Sequence, residues 1–140
     1  VSGIVIVGVD GSETAMRAAR TAADLASAMG ATLNVVTAYA SDKTEVVEIA
    51  GEDWTVSDSE QATKVAQRVA LLLGASGVST TYTAAHGKPH EVLISEAERL
   101  EAKVIVVGNR RMQGLGRVLG SVANTVAHNA PCDVFIAKTN

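Results

Sequence analysis

The chain has 140 residues, 47% of them hydrophobic and 19% charged, and a formal net charge of -3. Such a length reads as one domain over residues 1–140 that buries a core without staples. The acidic balance, with one Trp, two Tyr and one Phe, argues against nucleic acid as the main partner.

The N-terminal VSGIVIVGVDGS lacks a basic leader region and runs straight into a strand pattern, so it does not read as a signal peptide. Residues 4–9 form a β-branched run closed by Asp10-Gly11, and Ser12 offers an N-cap to a helix. Ala15, Ala18, Ala19, Ala22, Leu25, Ala26 and Met29 then recur at helical spacing, with Gly30 as the stop. Residues 33–38 give a second strand. The polar stretch 41–57, which holds Trp54, reads as a loop with at most one helical turn, Trp54 either packing it on the sheet or closing over a ligand. Ser57 or Asp58 caps a helix to about Leu73, whose apolar stripe is Ala62, Val65, Ala66, Val69, Leu72 and Leu73.

Residues 80–84 are a polar β-branched strand, and Gly87-Lys88-Pro89 turns the chain into a helix over 90–100 that buries Val92, Leu93, Ala97 and Leu100. Residues 103–107 read as a central parallel strand ending at Gly108, succeeded by a glycine-rich loop, a helix from Ser121 to about Asn129, and a last strand over 133–138. The longest apolar runs, 104–107 and 69–73, are far too short to cross a bilayer, so no membrane partner is expected. Five strands alternating with four helices imply an α/β fold, a doubly wound parallel sheet with helices on both faces. Ligands of such sheets bind at the carboxyl ends of strands where the winding reverses, here between the first and fourth strands.

The densest chemical signal is VIVVGNRRMQGLGRVLGSVAN at 104–124. A buried-type strand passes into a loop with Gly114, Gly116 and Gly120 and with Arg110, Arg111 and Arg117, and then into a helix start that Ser121 can cap. A phosphate placed there meets the unpaired N–H groups of Val122 and Ala123 and the positive end of a helix dipole. Neither GxxxxGK[ST] nor GxGxxG occurs, so the Walker and dinucleotide fingerprints are excluded. The sheet topology brings this loop to the same rim as Val9-Asp10-Gly11-Ser12 and Thr37-Ala38-Tyr39. There Asp10 serves either as ordinary turn chemistry or as a carboxylate for a ribose hydroxyl or a cation. Backbone at Ala38 can read an adenine edge.

Across essentially its whole length the chain resembles a universal stress protein domain. VGVDGSETAMRAAR at 7–20, LNVVTAY at 33–39, GKPHEVL at 87–93 and the stretch from 106 to 138 carry the likeness. The resemblance implies a Rossmann-like sheet of order 3-2-1-4-5, adenine-nucleotide binding, and a homodimer joined at the last strand. The ATP-binding branch carries G-x-x-G-x9-G-[ST]; Gly108 matches its first glycine and Gly120-Ser121 its last pair. Arg111 replaces the middle glycine, and the interval to Gly120 is one residue short. The implied binding set is Val9, Asp10, Ala38, Val107, Gly108, Asn109, Arg111, Gly120, Ser121, Val122 and Ala123. The departures leave ATP, AMP and cyclic AMP open as ligands, with Mg accompanying phosphates, and leave Arg111 either supplying charge to a phosphate or blocking its path.

Other residues carry less. The lone Cys132 cannot pair within the chain, which fits a reducing, cytoplasmic setting, and a small buried thiol is its expected role. His86 and His90 flank a turn without further ligands at metal spacing, and no paired carboxylates suggest acid–base catalysis. The functional expectation is an adenine-nucleotide-binding stress-response regulator or sensor with an unknown protein partner. A slow Mg-dependent nucleotide hydrolase and a nucleotide-independent scaffold are the alternatives.

Overall fold

β-branched runs and helical apolar stripes alternate along the chain, and the computed structural model turns that alternation into a layered sheet; it describes residues 3–40, 44–49, 51–109 and 120–139. The elements are β1 (Ile4–Gly8), α1 (Glu13–Met29), β2 (Thr32–Tyr39), β3 (Thr44–Ile49), β4 (Glu52–Ser57), α2 (Asp58–Gly74), β5 (Thr80–His86), α3 (Pro89–Leu100), β6 (Val104–Gly108), α4 (Ser121–Asn129) and β7 (Asp133–Ala137). β5, β2, β1, β6 and β7 form one parallel sheet in that order. Counting only its strands, this is the expected 3-2-1-4-5 arrangement.

Alternation along each strand divides the core into two layers. Val5, Val7, Leu33, Val35 and Val106 face the alanine-rich side of α1 and Ala66, Val69, Ala70 and Leu73 of α2. Ile6, Val36, Ile105 and Val107 face Val92, Leu93 and Ala97 of α3 and Ala123 and Val126 of α4. Small helix faces bring the backbones close. At Gly8 an added Cβ would lie 3.2 Å from both methyl groups of Leu93, so α3 sits directly on β1.

Side-chain oxygens start two of the helices as the sequence indicates. Ser12 Oγ accepts from Ala15 N at 3.1 Å, and Ser57 Oγ accepts from Glu60 N at 3.1 Å, each filling one of the otherwise orphan first-turn donors. The structure differs from expectation at 41–57. Its described part is not a loop but an antiparallel hairpin, with Ile49 opposite Glu52 so that only two residues separate β3 from β4. Gly51, at φ 82, supplies the positive backbone angle that a two-residue hairpin turn needs. The acidic residues of this stretch hide a β-branched pattern. Trp54 stands opposite Val47 in that hairpin.

One polar cluster interrupts the α3/α4 layer. Asn34, 1% exposed, points from β2 into it and donates to Glu96 Oε2 at 3.1 Å. Thr83 donates to the same oxygen at 2.7 Å, Thr81 donates to Asn34 Oδ1 at 3.0 Å, and Arg99 grips both Glu96 oxygens at 2.7 Å. A buried carboxylate persists because these donors compensate its desolvation. The Arg99 hydrogen bonds, with those from Thr83 and Asn34 behind them, outweigh burial and hold the Glu96 carboxyl below its ordinary range.

A carboxyl depressed in the folded state binds its proton less readily there than in the unfolded chain. Its stabilisation is therefore complete above the ordinary carboxylate pKa and lost as pH falls through the lower, folded value. Glu96→Gln should cost about 1.5 kcal/mol at neutral pH, the order expected for hydrogen bonds to a charged group. It should also flatten the acid limb of stability between about pH 5 and pH 2. Urea denaturation across that range checks both, and an unchanged acid limb in the variant would refute the assignment.

Candidate functional site

Parallel pairing fixes where the candidate residues meet. β1 pairs β2 with Gly8 opposite Val36, and β1 pairs β6 with Val7 opposite Val106, so the carboxyl ends of three adjacent strands reach one rim. Val9 and Asp10 leave the end of β1, Ala38 lies near the end of β2, and Val107, Gly108 and Asn109 close β6. The winding reverses here: β1 leads to β2 on one side, while β6 lies on the other. This is the crevice where open α/β sheets take ligands.

Beyond Val9, whose N–H donates to Val36 O at 2.8 Å, the chain turns sharply at Asp10-Gly11. Gly11 adopts φ 89, a conformation that side chains rarely tolerate, and Asp10 Oδ1 accepts from Ser12 N at 2.9 Å. The turn reading of Asp10 is thus correct for one carboxylate oxygen. Asp10 is nevertheless exposed on the rim, where its charge faces solvent. Val9, Val107 and Ala123 are buried in the core, so each can offer a ligand only its backbone. Ala38 is half-buried against the α3/α4 layer. Next to it Thr37 is 5% exposed, and its hydroxyl has no hydrogen-bond partner among the described residues.

The helix start differs from expectation by one residue. Gly120, in an extended conformation at φ -61 and ψ 154, is the N-cap of α4, and Ser121 is the first helical residue. Asn124 N donates to Gly120 O at 2.9 Å, which closes the first turn one position earlier than a Ser121 cap requires. Because Gly120 has no side chain, no cap hydrogen bond like those of Ser12 and Ser57 forms at α4. The first-turn amides and the exposed Ser121 hydroxyl are chemically suited to an anion. Arg110, Arg111, Gly114, Gly116 and Arg117 lie outside the described residues.

Asn109 is placed by contacts the sequence does not suggest. Its N–H donates to Ala137 O at 2.9 Å, and its Oδ1 accepts from both Thr139 N at 3.0 Å and Thr139 Oγ1 at 3.1 Å. Thr139 O in turn accepts from Arg17 at 3.1 Å. No motif announces Thr139 or Arg17; the only signal is a threonine set two residues beyond the last strand.

The remaining candidates are accounted for locally. The His86 ring meets Tyr39 edge-on, with centroids 5.7 Å apart, at the neighbouring strand ends. Among the described residues no group of three His, Cys, Asp or Glu side chains is arranged to hold a metal ion. Cys132 is half-buried; burial first, and then the nearby Asp133 charge, push its thiol pKa up, which disfavours the nucleophilic thiolate. No helix among the described residues is long and apolar enough to cross a membrane.

Comparison with known proteins agrees with this geometry. A universal stress protein of Mycobacterium tuberculosis is 33% identical over 136 residues, covering 96% of this chain and 45% of its own length. The chain therefore spans under half of that mycobacterial relative. A universal stress protein of Thermus aquaticus is 32% identical over 135 residues, covering 96% of this chain and 97% of the relative. Among solved structures, a universal stress protein in complex with cAMP is 29% identical with a TM-score of 0.75, covering 99% of this chain and 98% of the other. One from Archaeoglobus fulgidus, 21% identical with a TM-score of 0.73 over 97% of this chain and 93% of its own, shares the fold. The family model described as "Universal stress protein family" matches residues 3–138, and with the sheet order and these relatives it establishes that the chain belongs to the universal stress protein family.

Proposed function

We propose that this chain binds an adenine nucleotide of the AMP, cyclic AMP or ATP type across the rim formed by β1, β2, β6 and α4, and acts as a homodimeric stress-response regulator. The observation that carries the reading is that Val107, at the end of β6, shares a core cluster with Ala123 in the first turn of α4, a helix whose cap position, Gly120, has no side chain. The relative solved with cAMP supports adenine as the base. In this reading the backbone at Ala38 reads the adenine edge, and Asp10 accepts a ribose hydroxyl through the oxygen its turn does not use. Amides of Ser121, Val122 and Ala123 hold phosphate, assisted by the Ser121 hydroxyl. Mg would accompany a triphosphate through its phosphates. The unpairable Cys132 accords with a reducing cytoplasm.

The dimer part of the proposal rests on β7. Among the described residues it is an edge strand paired to β6 alone, and Phe135 and Ile136 are 42% and 40% exposed. Between Asp133 and Lys138 the strand edge is uncharged, and an unpaired apolar edge invites a two-fold partner. Light scattering should return a dimer mass at micromolar concentration, and Phe135→Asp should return a monomer with the fold retained. A monomeric wild type, or a dimer indifferent to this change, would defeat the assignment.

Calorimetric titration should detect AMP, cyclic AMP or ATP binding, and a nucleotide at a hundred times its Kd should add about 2.7 kcal/mol to stability. Asp10→Asn keeps an acceptor for the Ser12 amide but removes the charge, and should weaken nucleotide binding about tenfold, equivalent to a charge-assisted hydrogen bond of roughly 1.5 kcal/mol. If all three nucleotides are silent at millimolar concentration, the proposed function fails.

A further inference from the structure

β6 ends at Gly108, with Asn109 next, and the frame that fixes this strand end comes from Thr139, beyond β7. Gly108 stands opposite Ala137 in the β6–β7 ladder. An added Cβ at Gly108 would lie 3.3 Å from Thr139 Cγ2 and 3.8 Å from Ala18 Cβ, so the bare glycine lets Thr139 close over the strand end. Thr139 is only 3% exposed. Both of its donors converge on Asn109 Oδ1, at 3.0 and 3.1 Å, which occupies the two lone pairs of that oxygen. Arg17 donates to Thr139 O at 3.1 Å and is itself paired with Glu13 at 3.4 Å.

We infer that Thr139 and Arg17 are positioning residues for the nucleotide, acting through Asn109 to hold the Gly108-Asn109 end of β6 in place at the rim. This inference rests on the nucleotide reading proposed above and adds residues that do not themselves belong to the binding rim. The Asn109 carbonyl oxygen is committed to Thr139, so this end of the carboxamide is an anchor and not a ligand contact. α1 begins at the Asp10 turn, so Arg17 also ties the β1 side of the rim to the β6 side. In the reading proposed above Gly108 stands at the phosphate side of the rim, so small displacements of this strand end are felt at the phosphate, because hydrogen bonds weaken steeply with misalignment. The base, held at the β1 and β2 ends, is indifferent to it.

The test compares AMP with adenosine on the intact chain, by calorimetry, for Thr139→Val, Thr139→Ser and Arg17→Met. Valine keeps the shape and the backbone bond but removes the hydroxyl donor. It should weaken AMP about fivefold, the value of one neutral hydrogen bond, and leave adenosine unchanged. Serine should restore the AMP affinity, and Arg17→Met should shift AMP in the same direction as valine. Asn109→Ala combined with Thr139→Val should be no worse than Asn109→Ala alone, because both remove one linkage. AMP binding unaltered in Thr139→Val, or equal losses for AMP and adenosine, would overturn the inference while leaving nucleotide binding standing. A wild type that binds neither would overturn both.

Discussion

The parallel ladder β2–β1–β6 is the constraint on which the rest of this molecule depends. The centre of its middle strand is fully buried, with Val5, Ile6 and Val7 at 0% exposure, and its neighbours supply Leu33, Val35, Ile105 and Val106 at the same depth. Because all three strands run the same way, every connection between them must cross a face of the sheet, and the alanine-rich stripe of α1 and the branched face of α3 are the covers. In sheets wound this way, the reversal of winding beside β1 is where a crevice opens at the strand ends. The place of the rim is thus a product of topology, and the residues around it need only be small, turn-forming or hydrogen-bonding to make it chemically selective.

Much of this architecture is legible in the sequence because its causes are local. The run at 4–9, the alanines from Ala15 to Ala26 and the serine caps at Ser12 and Ser57 each specify an element on their own. The convergence of Asp10, Ala38 and Gly108 comes with the strand order, since parallel register leaves little freedom. Two features are not legible, for different reasons. The hairpin of β3 and β4 is rich in acidic residues, and charge masks a pairing that a short turn, more than apolar alternation, establishes. The Thr139 contact depends on residues 30 apart in sequence, and nothing in either neighbourhood marks it.

The cap of α4 shows how a motif can be right in place and wrong in role. The Gly120-Ser121 pair suggests a serine cap, yet the glycine occupies the cap and the serine enters the helix. In physical terms the exchange matters, since a serine cap consumes a first-turn N–H through its own hydroxyl, whereas a glycine cap consumes none. α1 and α2 each satisfy one such donor with a serine hydroxyl. A site for anions and a well-capped helix are competing uses of the same amides.

The polar cluster around Asn34 has a consequence for how the sheet assembles. β5 is an edge strand of mostly half-buried and exposed residues, so apolar burial alone distinguishes weakly between its possible alignments on β2. A slide of two residues would keep the same faces inward and leave most of its van der Waals contacts intact. In the direction that sets Ala85 in the place of Thr83 it would, however, withdraw a hydroxyl from Glu96, leaving a sequestered carboxylate short of a donor. The cluster therefore acts as a one-way stop at the sheet margin: it opposes sliding toward Ala85, and does so at the strand where hydrophobic packing has least to say.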